Sequence, residues 1–336
     1  MTRPERLGPA LASATGDDRW TSFEAHLIAG GKSNLTFEIT SEAGSLVLRR
    51  PPSGNLLPSA HDMFREARVQ RALTSTDVPV APVLLLDPDG DLLGVPSYVM
   101  SKVEGHVIRE ALPADFATTA DERVGLGHTM VDTLVTLHAI DPAAVGLQDF
   151  GRPEGFVARQ IRRWGGQWDK SKTHDVPELT RLGALLTERL PSTQRTSIVH
   201  GDYKIDNCIL DVDDPTRIAA LLDWEMSTLG DPMTDLGMML FYWREADQDQ
   251  HALIPTVTDQ PGFPTRQHLA ERYAAATGVT LDEIDYYRAF ANFKFAIIVQ
   301  GVSARAAAGS MAGQDFGNLD PLVLECARAG LDLLKG

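Results

Sequence analysis

The residues best suited to chemistry lie in one short stretch, His200-Gly201-Asp202-Tyr203-Lys204-Ile205-Asp206-Asn207, and in Asp223-Trp224-Glu225 beyond it. An aspartate followed five residues later by an asparagine suits phosphoryl transfer. That reaction needs a carboxylate to take the proton of an attacking hydroxyl, and hard oxygen ligands to hold Mg²⁺ on nucleotide phosphates. Asp202 is expected to serve the hydroxyl, the Asn207 carboxamide a metal, and Asp223 to be the second metal ligand. A polar turn whose Asp and Asn cap backbone groups would use the same residue types. The His-Gly before the aspartate and the Asp-Trp-Glu after the next strand favour the catalytic reading.

These groups need elements to position them. A short apolar run, Ser197–Val199, leads into His200, and two short strands, Cys208–Val212 and Ile218–Leu222, lie between Asn207 and Asp223. Helical spacing of apolar residues marks Glu122–Ile140. Gly151–Trp168 and Glu178–Leu190 also look helical, and from Asp231 onward the chain reads as almost all helix, at about 232–244, 266–276, 282–308 and 320–335. The amino-terminal part reads differently. Residues 1–20 look like an irregular tether. Strands follow at Phe23–Ile28, Leu35–Thr40 and Ser45–Arg50, the last stopped by Pro51-Pro52. Ser59 fits a helix N-cap, with Asp62 as partner, for a helix running to Leu73. Pro82–Leu86 and Val95–Val103 complete the strands. The pattern predicts an α+β chain: a tether over 1–20, a small antiparallel-sheet lobe with one helix over 21–104, and a larger, mainly helical lobe over 105–336.

The strings Val199-His200-Gly201-Asp202 to Asn207, and Leu222-Asp223-Trp224-Glu225 to Gly230-Asp231-Pro232-Met233-Thr234-Asp235-Leu236, resemble the aminoglycoside phosphotransferase/choline kinase family, small-molecule relatives of protein kinases. Gly31-Lys32-Ser33-Asn34, Val47–Pro52, Leu56–His61 and Arg159-Gln160 to Trp164 and Trp168 narrow the likeness to the kinase-like domain fused to acyl-CoA dehydrogenases. The resemblance covers about residues 20–330. It implies a two-lobed protein-kinase-like fold, ATP or GTP in the cleft, Mg²⁺, and a small-molecule hydroxyl as acceptor. By position, Asp202 would be the base and Asn207 and Asp223 the metal ligands. Gly31, Ser33 and Asn34 belong to a glycine loop that would cover the phosphates with backbone N–H groups and the Ser33 hydroxyl, though an ordinary hairpin turn would read alike. Met100 to Glu104, with Met100, Ser101 and Val103, would form the hinge that presents backbone groups to the purine. Gly230-Asp231-Pro232 reads as a helix start with Asp231 at the N-cap, and the same Asp would brace the catalytic loop. Asp235 and His200 read as further support. Glu225 could touch substrate, metal or only solvent.

One expected residue is absent. Kinases carry a lysine on the third strand, paired with a helix glutamate, and here the strand reads Leu46-Val47-Leu48-Arg49-Arg50. Alternation puts Leu46 and Leu48 in the core. It turns Val47 to the cleft under the base and Arg49 to the phosphates, with Glu66 as the partner that orients Arg49. Arg50 shares the core-facing parity and is expected to bend outward. An arginine can hold phosphate bidentately. The bland alternative makes Arg49 a surface residue and Glu66 a helix-face charge, and a pseudokinase serving as an interaction module stays open.

Residues 152–172 hold six basic and two acidic side chains. Arg159, Arg162 and Arg163 fall on one helix face, with Trp164 and Trp168 a turn apart. Arg159, Arg163 and Trp164, together with Glu225, are the candidate acceptor contacts, suited to an anionic substrate such as a hydroxyacyl-CoA. A solvated basic face above two core tryptophans explains the same pattern. An antibiotic phosphotransferase is the alternative within the class, although a polycationic aminoglycoside would prefer carboxylates.

The 336 residues carry a net charge of −15 and are 43% hydrophobic, which excludes a mainly disordered chain and disfavours nucleic-acid partners. Ten basic and thirteen acidic residues up to position 105 leave most of the acidic excess in the larger lobe. Two cysteines make no disulfide framework, so a reducing cytoplasm is the simplest expectation. No apolar run reaches the ~18 residues a bilayer needs. Nothing in the residues sets the oligomeric state.

Overall fold

The computed structural model describes residues 1–28, 34–52, 62–193, 195–246, 253–254, 256–307 and 317–335. The element order is α1 (Pro4–Thr15), β1 (Glu24–Leu27), β2 (Leu35–Ser41), β3 (Gly44–Arg50), α2 (Met63–Leu73), β4 (Val83–Asp87) and β5 (Ser97–Ser101), followed by α3 (Ala120–Ala139), α4 (Phe156–Ser171) and α5 (Pro177–Glu188). Then come β6 (Ser197–Val199), β7 (Cys208–Leu210), β8 (Ile218–Leu221), β9 (Thr228–Gly230), α6 (Met233–Tyr242), α7 (Arg266–Thr277), α8 (Ile284–Ala307) and α9 (Asp320–Leu333).

Strands β1 to β5 make one antiparallel sheet in the order β1-β2-β3-β5-β4. Its two faces follow the period of two. Phe37, Ile39, Leu46, Leu48 and Val99 pack on one face, and Val47, Tyr98 and Met100 meet Met63, Ala67 and Ala81 on the other. A third, larger core joins α3 to α9. The expected α+β, kinase-like arrangement of a small sheet with a mainly helical remainder is present.

The first twenty residues are not an irregular tether. They form α1 and a short 3₁₀ turn at Asp18–Thr21, and Leu7, Leu11, Ala12 and Trp20 are buried against the first sheet face. Pro4 starts the helix and Gly16, at φ +70°, ends it. Polar residues on the outer side hid the Leu7/Leu11 stripe. The sheet therefore carries two helices. Helix α2 starts at Met63, where the Asp62 carboxylate accepts the Arg65 N–H at 2.9 Å. Ser59 lies outside the described residues. Arg50 does not bend outward: it is buried and donates to the Pro51 and Met1 carbonyls at 3.2 and 2.9 Å. Helix α4 begins at Phe156, later than Gly151.

Two further ladders position the site. Strand β6 pairs with β9, and β7 with β8, both antiparallel. The loop 200–207 runs from β6 to β7, and the loop 222–227 from β8 to β9. Pairing at both ends holds the two loops side by side. Leu222 N–H donates to the Asn207 carbonyl at 2.8 Å, which closes that junction.

Candidate active site

The loop bearing Asp202 is held from several sides. Asp235, in the first turn of α6, accepts the His200 N–H at 2.6 Å and the Gly201 N–H at 2.8 Å. His138 meets the same carboxylate at 3.3 Å and the Tyr273 hydroxyl at 2.7 Å. Burial opposes the charge on Asp235, but the His138 hydrogen bond, the His138 and His200 rings and the Gly201 N–H hold its carboxyl below the ordinary value. The His200 ring faces the Leu222 carbonyl through Nε2 at 2.8 Å and the Asp202 N–H through Nδ1 at 3.3 Å. These partners require Nε2 to donate and Nδ1 to accept. His200 thus ties the two loops together, a supporting position.

Asp231 does not brace this loop. Its carboxylate accepts the Met233 N–H at 3.0 Å and the Tyr287 hydroxyl at 2.7 Å, and burial raises its pKa. The N-cap itself is Pro232. Four residues on, in the first turn of α6, it is Asp235 that meets the loop.

The Asp202 carboxylate accepts from the Asn207 amide at 3.0 Å and faces Lys204 Nζ at 3.2 Å. The same amide nitrogen donates to the Asp202 carbonyl at 2.8 Å. Burial works against the charge, yet Lys204, Lys294 and His200 hold Asp202 below the usual carboxylate range. Lys204 also approaches Asp206 at 3.6 Å and lies 4.8 Å from the Tyr242 ring centre.

Asp223 has φ +64°, an unusual backbone for a residue with a side chain. Its Oδ1 lies 3.5 Å from Arg49 Nη2, and the same nitrogen donates to Glu66 Oε1 at 3.0 Å. Glu66 is 1% exposed, and burial raises its pKa against the pull of Arg49. The Tyr98 hydroxyl donates to Glu66 at 2.9 Å, and the Asn34 amide at 3.2 Å. Arg49 and Glu66 are thus a buried pair, not surface charges. One carboxylate oxygen from each of Glu66, Asp223 and Glu225 lies within 4.8 Å of the other two.

The remaining expected residues fall in several surroundings. Val47 and Met100 are buried in the second sheet core, with Val103 packed beside them. Ser101 N–H is already taken by the Pro82 carbonyl at 2.9 Å, so it has no free N–H for a purine. Lys102 pairs with Glu38 at 2.9 Å and Glu104 at 3.0 Å where the chain leaves the sheet. Gly31 and Ser33 lie outside the described residues. Arg159 donates to the Glu154 and Arg152 carbonyls and closes the turn before α4. Trp164 and Trp168 are core residues, 5% and 6% exposed. Only Arg162 and Arg163 of the basic face are exposed. Sequence reasoning missed Lys204 and Lys294 as parts of this site. The signal for Lys294 was available as a lone charge inside the apolar run Phe290–Ile298.

The site has relatives. The model of the family described as phosphotransferase enzymes matches residues 24–290. Acyl-CoA dehydrogenase family member 10 of Mus musculus is 34% identical over 303 residues, covering 88% of this chain and 28% of that protein. Acyl-CoA dehydrogenase family member 11 of Gallus gallus is 33% identical over 318 residues, covering 91% of this chain and 40% of that protein. The chain therefore spans less than half the length of these relatives. A crystal structure from Ralstonia eutropha JMP134, provisionally assigned as an aminoglycoside phosphotransferase, is 31% identical with a TM-score of 0.77, covering 94% of this chain and 93% of that one. A thermostable mutant of aminoglycoside phosphotransferase APH(4)-Ia, solved with ADP and hygromycin B, shares the fold at 15% identity and a TM-score of 0.60, covering 98% of this chain and 99% of that one.

Proposed function

The chain belongs to the phosphotransferase enzyme family and is a small-molecule kinase, and on that premise we propose that it moves the γ-phosphate of ATP or GTP to a hydroxyl of an anionic small molecule, a hydroxyacyl-CoA in the first instance. The observation that carries this reading is the Asp202 carboxylate, 3.2 Å from Lys204 Nζ and bonded by the Asn207 amide, on a loop whose backbone is held by Asp235. As the acceptor oxygen attacks the γ-phosphorus, the bond to the β,γ-bridging oxygen breaks and the nucleoside diphosphate leaves, while the acceptor's O–H bond breaks and Asp202 takes the proton. Lys204 and the Asn207 amide keep that carboxylate in one orientation. Arg49 is oriented by Glu66, and its buried Nε has no hydrogen-bond partner among the described residues, which leaves a donor for a phosphate oxygen.

The donor set also fits Mg²⁺. Asp223 and Glu225 offer carboxylate oxygens, and Asn207, with its amide nitrogen spent on Asp202, offers its amide oxygen. When bound, the ion offsets the negative charge of the nucleotide phosphates.

Support for an anionic acceptor comes from Arg162 and Arg163, exposed on α4, and from the acyl-CoA dehydrogenase names of the curated relatives. The test is ADP release from Mg-ATP with a panel of hydroxyacyl-CoA compounds. Asp202→Ala is expected to abolish it, and equal turnover by that variant removes Asp202 as the base. A second reading takes an aminoglycoside acceptor, on the strength of the structural relatives' names. Expression in a sensitive host with no rise in inhibitory concentration would reject it.

A further inference from the structure

Lys294 is a buried cation that the proposed reaction does not yet use. It sits in the middle of α8, beyond the matched residues 24–290, and is 3% exposed. Among the described residues no carboxylate lies within ion-pair distance of it. Its Nζ donates to the Gly201 carbonyl at 2.5 Å and lies 5.5 Å from the Trp164 ring centre. A buried ammonium without a paired carboxylate is costly. The charges of Asp202 and Asp235 offset part of that cost from beyond ion-pair distance, and the Gly201 carbonyl accepts its hydrogen bond.

The Gly201 carbonyl belongs to the peptide unit that leads into Asp202. The other end of that unit, the Asp202 N–H, points to His200 Nδ1 at 3.3 Å. The Gly201 N–H is held by Asp235 at 2.8 Å. Gly201 has φ +86°, and a Cβ there would lie 2.6 Å from the Met226 carbonyl oxygen. The backbone before Asp202 is thus clamped at three polar atoms and in a conformation that suits glycine. Lys294 supplies the one clamp that comes from α8.

We propose that Lys294 is a positioning residue for Asp202, acting through its hydrogen bond to the Gly201 carbonyl. The proposal rests on the reading of Asp202 as the base.

Mg-ATP hydrolysis by the full chain, with water as the acceptor, tests it without knowledge of the substrate. Lys294→Met is expected to lower kcat about 10²-fold, the scale of a ~1 Å misplacement, with the KM for ATP unchanged. In an Asp202→Asn background the same change is expected to add nothing, because both act through one group. Lys294→Gln keeps a donor for the carbonyl and is expected to stay within about tenfold of wild type. It decides the matter if the Met variant does not fold. Wild-type kcat in Lys294→Met overturns the proposal. So does an equal further loss in the Asp202→Asn background, or a Gln variant as inactive as Asp202→Asn. If Asp202→Asn hydrolyses ATP as fast as wild type, the base assignment fails first and the positioning role falls with it.

Discussion

Arg49 and Glu66 form a buried ion pair at 3.0 Å, with Glu66 only 1% exposed. The pair connects the third strand to the helix above it. Through the 3.5 Å approach of Arg49 to Asp223, it also reaches the loop of the helical lobe. An arginine here takes the place of the expected lysine without losing its glutamate.

Removing one member should cost more than neutralising the other. Arg49→Met leaves the Glu66 carboxylate buried without its cation, a loss of about 3–5 kcal/mol at neutral pH. Burial already raises the Glu66 pKa, so the stranded carboxyl can escape by taking up a proton. The deficit should therefore be full above the raised pKa of that carboxyl and shrink as pH falls through it. Urea unfolding of wild type and variant at several pH values measures it, and a pH-independent gap would count against the buried pair.

Asp235→Asn replaces one acceptor with a donor facing backbone N–H groups. About 1–3 kcal/mol should be lost, together with most of the activity. Because the native carboxyl is held below its ordinary value of 3.8, the stability it contributes is present above that pH and disappears as pH falls through the folded value. Wild type and variant should thus differ fully at pH 7 and converge in strong acid. Chemical unfolding across that range tests the convergence.

Gly201→Ala forces a side chain into a left-handed backbone against the Met226 carbonyl. Strain of about 1–3 kcal/mol is expected, with a loss of kcat larger than the loss of stability predicts. Thermal unfolding and steady-state kinetics on the same preparation separate the two.

Leu11→Ala distinguishes a packed helix from a tether. Leu11 is fully buried in the sheet core, so its truncation should cost about 2–5 kcal/mol. A variant as stable as wild type would mean that α1 contributes little to that core.

Much of this molecule is legible in its residues. The period-two alternation along Leu46–Arg49 sends Leu46 and Leu48 to one face, Val47 to the other, and Arg49 to Glu66, as the strand reading requires. Among the helices from residue 120 onward, α4 and α5 show a clear apolar stripe that matches their buried faces, whereas α6 is buried nearly all round and is legible from its apolar content. Helix α1 escaped because its apolar stripe is short and polar residues surround it.

Local pattern alone singled out the groups proposed to carry the chemistry: Asp202, Asn207 and Asp223 stand out because phosphoryl transfer needs those side chains at that spacing. Tertiary structure decided what holds them. Asp231 and Asp235 look alike in the sequence, and only the folded chain shows Asp235 accepting from the loop while Asp231 turns to Met233 and Tyr287. The tryptophans of α4 could have faced an acceptor or a core, and packing against the other helices put them inside. Lys294 stands 92 residues from Asp202 along the chain and reaches its loop only because α8 crosses behind it. Hydrogen bonds of that range depend on how whole elements pack, which no local pattern encodes.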